Sequence, residues 1–417
     1  MEWDELEKEV VRCIKCGSCQ TVCPIFKEIR SEASVARGKV NLIKAVIHGD
    51  VEANENFAER MSWCLNCKAC VTNCPSGVKV DQLVLQARRK LVEDKGLPFT
   101  KKMILRLGLR NRWLFDIGMK MGALTQGMMF RTLENGRGML PRLPMGLDYR
   151  RLIMPVSDKP LRTRYPETIV AEGAVKKVAL FTGCMVNYIN PAIGEAVIKI
   201  LVNNKISIVI PANQHCCGTP AFANGDIPTA VELAKATVDH FADLDVDAVL
   251  IVCGSCGCAL QSEYRDLLKD EPAYSEKVER LSKKVVDFTV FMAEIGLKGV
   301  LHPVDKVVTY HESCHLTRGQ GVKSQPRQLM NSIPGIQISE MKDPGRCCGA
   351  AGSFSLSHYE LSMKINQHKV KDIAATNATT LVTGCPSCIM HIKDGLNQGG
   401  YDTEVLHIAE LIAKAYD

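Results

Sequence analysis

Glu312-Ser-Cys314-His315, Arg346-Cys347-Cys348-Gly-Ala-Ala-Gly352 and Gly384-Cys385-Pro-Ser-Cys388 form a spaced pattern of one cysteine, an adjacent pair followed by glycine, and a closing C-x-x-C. The same order occurs upstream at Cys184, at Cys216-Cys217-Gly218 and at Cys253-Gly-Ser-Cys256. The five cysteines of one set lie 130, 131, 131, 132 and 132 residues from their counterparts. Ten cysteines in two sets, in register to within two residues, mark an internal duplication that brings five sulfurs together twice.

The strands and helices around these cysteines alternate in both copies. Lys177–Phe181, Ile206–Ile210 and Ala248–Val252 read as short buried strands, with helices near Pro191–Val202 and Pro228–Phe241. The second copy has strands at Val307–Tyr310, Ile336–Ile338 and Thr380–Val382 and a helix at Tyr359–Ala375. Each copy closes with a similar coda, VVDFTVFMA at 285–293 and EVLHIAELIA at 404–413. Such alternation predicts α/β units with largely parallel sheets, whose ligands collect beyond the carboxyl ends of the strands, where these cysteine loops fall. Two similar lobes facing each other would put both five-sulfur sites near a shared interface. Gly218 and Gly349 let the backbone turn close to a metal. Thiolates in this number favour iron–sulfur chemistry over hard-metal binding; zinc held by four of the five is the competing reading.

The N-terminal quarter carries a second repeated motif. CIKCGSCQTVCP supplies Cys13, Cys16, Cys19 and Cys23, and CLNCKACVTNCP supplies Cys64, Cys67, Cys70 and Cys74. This is C-x2-C-x2-C-x3-C-P, the bacterial ferredoxin run, written twice, and in that arrangement the fourth cysteine of each run ligates the other cluster. The spacing therefore assigns cluster one to Cys13, Cys16, Cys19 and Cys74, and cluster two to Cys64, Cys67, Cys70 and Cys23. Structural zinc gains nothing from a third close cysteine or from the proline. Val40, Ile43 and Val46–Ile47 recur at helical spacing, and a second helix is expected from Asp81 to about Glu93. Arg37 and Lys39 read either as solvated face residues or as cations that neutralise the clusters.

The chain has 417 residues, 46% of them apolar and 24% charged, and nineteen cysteines. The acidic start MEWDELEKEV does not read as a signal peptide, and no run of about 18 apolar residues appears. Paired C-x-x-C spacings without an export signal point to metal ligation in a reducing compartment, so the cytoplasm is the expected location. The net charge of +6 is uneven: residues 101–151 hold eleven Lys or Arg against Asp116, Glu134 and Asp148. That asymmetry suggests a docking surface and not a nucleic-acid-binding protein. The same segment has seven of the sixteen methionines, from Met103 to Met145, with helical spacing up to Phe130 and irregular structure expected from Pro141 and Pro144. It reads either as a connector packed across the C-terminal half or as a basic amphipathic surface for a partner subunit or anionic lipid.

Cys184/Cys216-Cys217-Gly218/Cys253/Cys256 and the second set resemble the CCG domains of heterodisulfide reductase. In that family each full five-cysteine set holds a noncubane [4Fe–4S] cluster, and paired clusters cleave a disulfide. The whole chain outside 100–170 resembles the iron–sulfur subunit of glycolate oxidase and flavin-linked lactate dehydrogenases, and also the catalytic subunit of membrane-linked heterodisulfide reductase. ARGKVNLIKAVIHGD (36–50), CPSGVKV (74–80), YHESCHLTRGQG (310–321) and CCGAAGSFSL (347–356) favour the first.

The resemblance implies an α+β multidomain chain: an N-terminal α-helical ferredoxin-like domain at 1–98 with two cubane [4Fe–4S] clusters, a connector at 99–170, and duplicated α/β CCG domains at 171–299 and 300–417. It implies noncubane cluster three on Cys184, Cys216, Cys217, Cys253 and Cys256, and cluster four on Cys314, Cys347, Cys348, Cys385 and Cys388. The implied role is electron transfer in a flavin-dependent 2-hydroxy acid (glycolate or lactate) oxidoreductase, with catalytic disulfide reduction as the alternative. No dinucleotide fingerprint is present, so the flavin is expected on an FAD-containing dehydrogenase subunit of a hetero-oligomer. The acceptor would be a quinone, reached from the inner face of the membrane, or an electron-transfer flavoprotein. His311 and His315, beside Cys314, read either as proton donors in catalysis or as ordinary polar residues; His391 is a weaker candidate, and Cys258 reads as a buried spare thiol.

Overall fold

Apolar spacing sets the helical packing of the first quarter. Leu6 and Val10 on Trp3–Val10, Val40 and Ile43 on Ala36–Ile47, Phe57 and Met61 on Glu55–Ser62, and Leu83, Val84 and Ala87 on Val80–Lys95 recur three or four residues apart and close one small core. Asn54 caps its helix by accepting from the Phe57 N–H at 3.1 Å. The protein, seen in a computed structural model, is described over residues 3–134, 136–143 and 146–417. Pro144 and Met145, part of the connector pattern read above, lie outside the described residues. No strand occurs among the described residues up to 98.

The connector is helical through Met103–Leu109, a wide π-type turn, and Arg112–Met129, which Asn111 caps through the Leu114 N–H at 3.2 Å. Where irregular chain is expected, the structure has an antiparallel ribbon of β1 (Phe130–Thr132) and β2 (Met139–Pro141), in which Pro141 ends a strand of only three residues opposite Phe130.

Part of the connector's positive charge is engaged within the chain. Arg106 pairs with fully buried Asp226 at 3.0 Å, Arg110 with Glu232, Arg137 with Asp402 and Arg150 with Glu360, so these four cations bind the connector to both C-terminal repeats. Arg106→Ala is expected to lower unfolding stability by about 2 kcal/mol in a denaturant titration, because Asp226 loses its charged partner and keeps only Thr229.

Two mixed helix–sheet repeats follow. In the first, β3 (Thr168–Ile169), β4 (Lys176–Phe181), β5 (Ile206–Val209), β6 (Ala248–Ile251) and β7 (Val285–Asp287) form a sheet in the order β3-β5-β4-β6-β7, parallel except at β3. In the second, β8 (Lys306–His311), β9 (Ile336–Ile338), β10 (Thr380–Thr383) and β11 (Glu404–His407) run all parallel in the order β9-β8-β10-β11. Central strands buried on both faces, such as Val178–Phe181 and Ala248–Ile251, are continuous apolar runs, as parallel sheets require.

The repeats pack reciprocally. Helix Pro191–Asn203 of the first lies on Ile408–Lys414 of the second, while Gln325–Asn331 of the second lies on Phe288–Ile295 of the first. One apolar core runs through both. This arrangement brings the ends of β4, β6, β8 and β10 to a common region, and Cys184, Cys253, Cys314 and Cys385 follow those strands within three residues.

Candidate metal centres

The structure brings Cys13, Cys16, Cys19 and Cys74 together around one cavity. Cys23, Cys64, Cys67 and Cys70 line a second, and Cys70 also borders the first. Each run reaches this shape through two left-handed residues at equivalent positions, Lys15 (φ 57°) and Gly17 (φ 86°) in the first and Asn66 (φ 53°) and Lys68 (φ 58°) in the second. Alternation of that kind turns successive backbone N–H groups toward a concave anion site. Two such groups already reach sulfur at 3.4 Å, Asn66 N–H to Cys64 Sγ and Val78 N–H to Cys74 Sγ. Burial pushes the Cys23 thiol up to about 11 and raises Cys70 as well, so metal binding here must displace protons. Four soft donors around each cavity, with N–H groups aimed at sulfur, fit an iron–sulfur cluster.

One turn of helix supplies each cavity with a cation. Arg37 borders the first, where it donates to the Lys15 carbonyl at 3.1 Å and pairs with Glu32; Lys39 is buried beside the second and donates to the Ser34 carbonyl. Gly38 between them lies so close to the preceding turn that a Cβ would sit 1.9 Å from the Glu32 carbonyl oxygen. Both cations thus border the cavities, Lys39 buried and Arg37 partly exposed.

In the C-terminal repeats the ten cysteines form a line of adjoining side chains. Cys184 adjoins Cys216, which adjoins Cys217; Cys217 adjoins Cys256, and Cys256 adjoins Cys253. Cys253 then meets Cys385 of the other repeat, and the line continues through Cys388, Cys348 and Cys347 to Cys314. Cys347 also meets Cys67 of the second N-terminal cavity. Cys184 and Cys314 each open a wide π-type turn, Met185–Ile189 and His315–Gly319. Gly218 (φ 79°) and Gly349 (φ 88°) follow the adjacent pairs, and a Cβ on Gly349 would meet the Ser362 carbonyl oxygen at 2.6 Å.

The two five-sulfur sites are chemically unlike. At the second, His311 is buried with Cys348 and Cys388, their ligand atoms all within 4.8 Å of one another. Neither ring nitrogen makes a hydrogen bond of normal geometry, and burial lowers its pKa to about 3, so the ring is neutral. An orphaned imidazole facing two thiols suits a metal-bearing group. Phe181 holds the corresponding place in the first repeat, where the cavity at Cys184 and Cys216 is instead lined by Arg112, Phe115, Arg162, Tyr188 and His215.

His315 points elsewhere: its Nε2 donates to the Asn66 carbonyl at 3.0 Å and its Nδ1 accepts from the Ser255 hydroxyl at 3.1 Å, so it joins the N-terminal module to the first repeat. Buried His391 meets the Ser362 hydroxyl at 2.8 Å, and the buried Cys258 thiol donates to the His315 carbonyl at 3.1 Å. Two arginines that sequence reasoning passed over complete the assembly. Arg88 donates to the carbonyls of Met61, Ser62 and Cys64 and, at 2.8 Å, to Ala223 of the first repeat. Arg318 donates to the carbonyls of Cys67 (3.2 Å) and Gly345 (2.6 Å). Arg318 stands inside the 310–321 motif, which was the available signal; Arg88 has none beyond its place on the second helix.

The family model of the 4Fe–4S dicluster domain matches residues 9–78, and that of the cysteine-rich CCG domain matches twice, at 178–261 and 308–393. A Bacillus subtilis protein named "Probable glycolate oxidase iron-sulfur subunit" is 34% identical over 98% of this chain and 94% of its own length. The Escherichia coli glycolate oxidase iron–sulfur subunit is 26% identical over 97% of this chain and 94% of its own. One polypeptide of the Methanosarcina acetivorans dihydromethanophenazine:CoB–CoM heterodisulfide reductase is 28% identical over 98% of this chain and 94% of its own. In fold, the chain is similar to a crystal structure of a hypothetical protein from Helicobacter pylori, with TM-score 0.51 and 9% identity over 91% of this chain and 68% of that one.

Proposed function

The chain belongs to the family of glycolate oxidase iron–sulfur subunits, with an N-terminal 4Fe–4S dicluster domain and two CCG repeats, and from that premise we propose that it is the electron-transfer subunit of a flavin-dependent 2-hydroxy acid oxidoreductase. A flavoprotein partner oxidises a glycolate- or lactate-like acid, and this chain carries the electrons to or from a quinone or another acceptor on the cytoplasmic side. Clusters held by the eighteen cysteines would supply single-electron redox steps.

The observation that carries the reading is the unbroken succession of sulfurs from Cys67 through Cys347, Cys348, Cys388 and Cys385 to Cys253 and on to Cys184. It supports cluster two meeting site four first, with site three at the far end. The ligand sets proposed are Cys13, Cys16, Cys19 and Cys74; Cys64, Cys67, Cys70 and Cys23; and the two five-cysteine sets of noncubane type. The domain limits proposed are 1–98, 99–170, 171–299 and 300–417. His315 acts as a positioning residue between modules.

A second reading, catalytic disulfide reduction at site four, is favoured by the orphaned His311 beside Cys348 and Cys388. Anaerobic analysis of the purified complex is expected to give about sixteen irons per chain with matching acid-labile sulfide. Glycolate or lactate should reduce these centres only when the flavoprotein is present. Zinc without labile sulfide would sink both readings; thiol–disulfide turnover without any response to a hydroxy acid would select the second.

A further inference from the structure

The Arg112–Met129 helix has no buried residue among its eighteen, although it is held firmly on one side. Gln126 exchanges hydrogen bonds with the Val156 backbone at 3.0 and 2.8 Å, Phe115 packs edge-on against Tyr188 at 5.3 Å, and Arg112 donates to Asn213. The opposite side carries Trp113, Ile117, Met121, Leu124 and Met128, spaced by four, four, three and four residues, with Trp113 68% and Leu124 and Met128 each 78% exposed. At 1.5 Å per residue this stripe runs about 22 Å. Phe99, Ile104 and Leu107, all exposed, lie just before the helix in sequence.

Apolar side chains in such a row are not explained by packing within the chain. The unpaired charge near them in sequence is mainly positive. Lys102, Lys120 and Arg131 are exposed and make no ion pair among the described residues, while Asp116 is taken up by Arg112 and Tyr188, leaving Glu134 as the one exposed acid between 101 and 134. No helix among the described residues is long and apolar enough to cross a membrane.

We propose that this face is a monotopic docking surface for an anionic lipid bilayer, with the helix lying in the headgroup plane. An amphipathic helix with an apolar stripe, a tryptophan at one end and cations at its margins has the composition that such surfaces bind. The excess of unpaired cations, Lys102, Lys120 and Arg131 against Glu134, matches an anionic surface. The geometry also gives the docking a direction: Arg112 and Phe115, on the inner side of the same helix, line the cavity at Cys184 and Cys216. Site three therefore lies one helix thickness, about 10 Å, behind the lipid contact. The docking itself does not depend on the electron-transfer reading.

The test is flotation of the purified full chain, clusters intact, with extruded vesicles of equal phosphatidylcholine and phosphatidylglycerol, against phosphatidylcholine alone. Wild type should float with the anionic vesicles and lose most of that binding at high salt. Leu124→Glu combined with Met128→Glu should weaken partitioning by at least about tenfold with the cluster absorbance unchanged, since both side chains are solvent-exposed. Lys120→Glu with Arg131→Glu should abolish the preference for anionic vesicles. Failure to float with either composition, flotation unchanged by the double glutamate variant, or a protein complex that covers the stripe and stays off the vesicles would each overturn the proposal. None of these outcomes bears on whether a hydroxy acid reduces the clusters.

Discussion

Cys347→Ser is expected to yield a chain with about twelve irons where the wild type has about sixteen, both N-terminal clusters retained and turnover of the complex reduced by at least about 100-fold. The Cys347 sulfur is the meeting point of three others, Cys67, Cys314 and Cys348, and it accepts the Gly349 N–H at 3.4 Å. A hydroxyl keeps the volume but is a hard and weakly acidic donor, so iron at this corner loses its thiolate. The N-terminal cavities retain all eight of their own cysteines, and the first repeat keeps its five. Iron and sulfide quantification with low-temperature paramagnetic resonance separates the outcomes. Loss of every cluster together would show that the repeats and the module do not assemble independently.

Gly38→Ala is expected to destabilise the N-terminal module by about 3 kcal/mol, at the upper end for overpacking, and to lower cluster content there. The new methyl would lie 1.9 Å from the Glu32 oxygen and 2.6 Å from its carbon, which are backbone atoms and cannot rotate away. Moving the helix to relieve that contact also moves Arg37 and Lys39, the cation at each N-terminal cavity. Gly118→Ala is the matched control: it lies mid-helix with nothing within 4 Å of the added carbon, so a gain of roughly 0.5–1 kcal/mol is expected from helix propensity alone. Denaturant midpoints of the two variants, followed by cluster absorbance for the module and by far-UV signal for the whole chain, distinguish a local clash from general sensitivity to alanine.

Cysteine spacing alone showed the five-cysteine duplication and the two ferredoxin-type runs, because metal ligation imposes fixed intervals that few other constraints mimic; the CCG assignment came from the resemblance. The central strands were legible for a different reason: chain buried on both sides must be apolar and rich in β-branched residues, as at Ile206–Val209 and Thr380–Thr383. The β1–β2 ribbon was not, since its three-residue strands carry too few alternations to register and one ends in Pro141. Nor did the sequence say that Cys67 would meet Cys347, 280 positions away. Helix periodicity reveals that a face is buried without naming the neighbour, and the contacts that fix this docking include arginine and histidine side chains on carbonyl oxygens and the pairs Ser62–His358 and Glu28–His368. The connector's charges illustrate the same limit, because composition counts Arg106 and Arg150 as positive whether they face solvent or a carboxylate.

Those carbonyl contacts bear on how the chain tolerates evolutionary drift. Arg318 and His315 of the second repeat reach the peptide oxygens of Cys67 and Asn66 in the module, and Arg88 of the module reaches that of Ala223 in the first repeat. Every residue type presents the same oxygen, so at these three contacts the receiving side chain can change while the contact keeps its geometry. At these contacts the burden of specificity falls on the three donors, beside the side-chain pairs Ser62–His358 and Glu28–His368, and a chain sharing about a quarter to a third of its residues with its relatives can retain one alignment of its parts. Neutral substitution is buffered at the acceptor of each such contact and restricted at its donor.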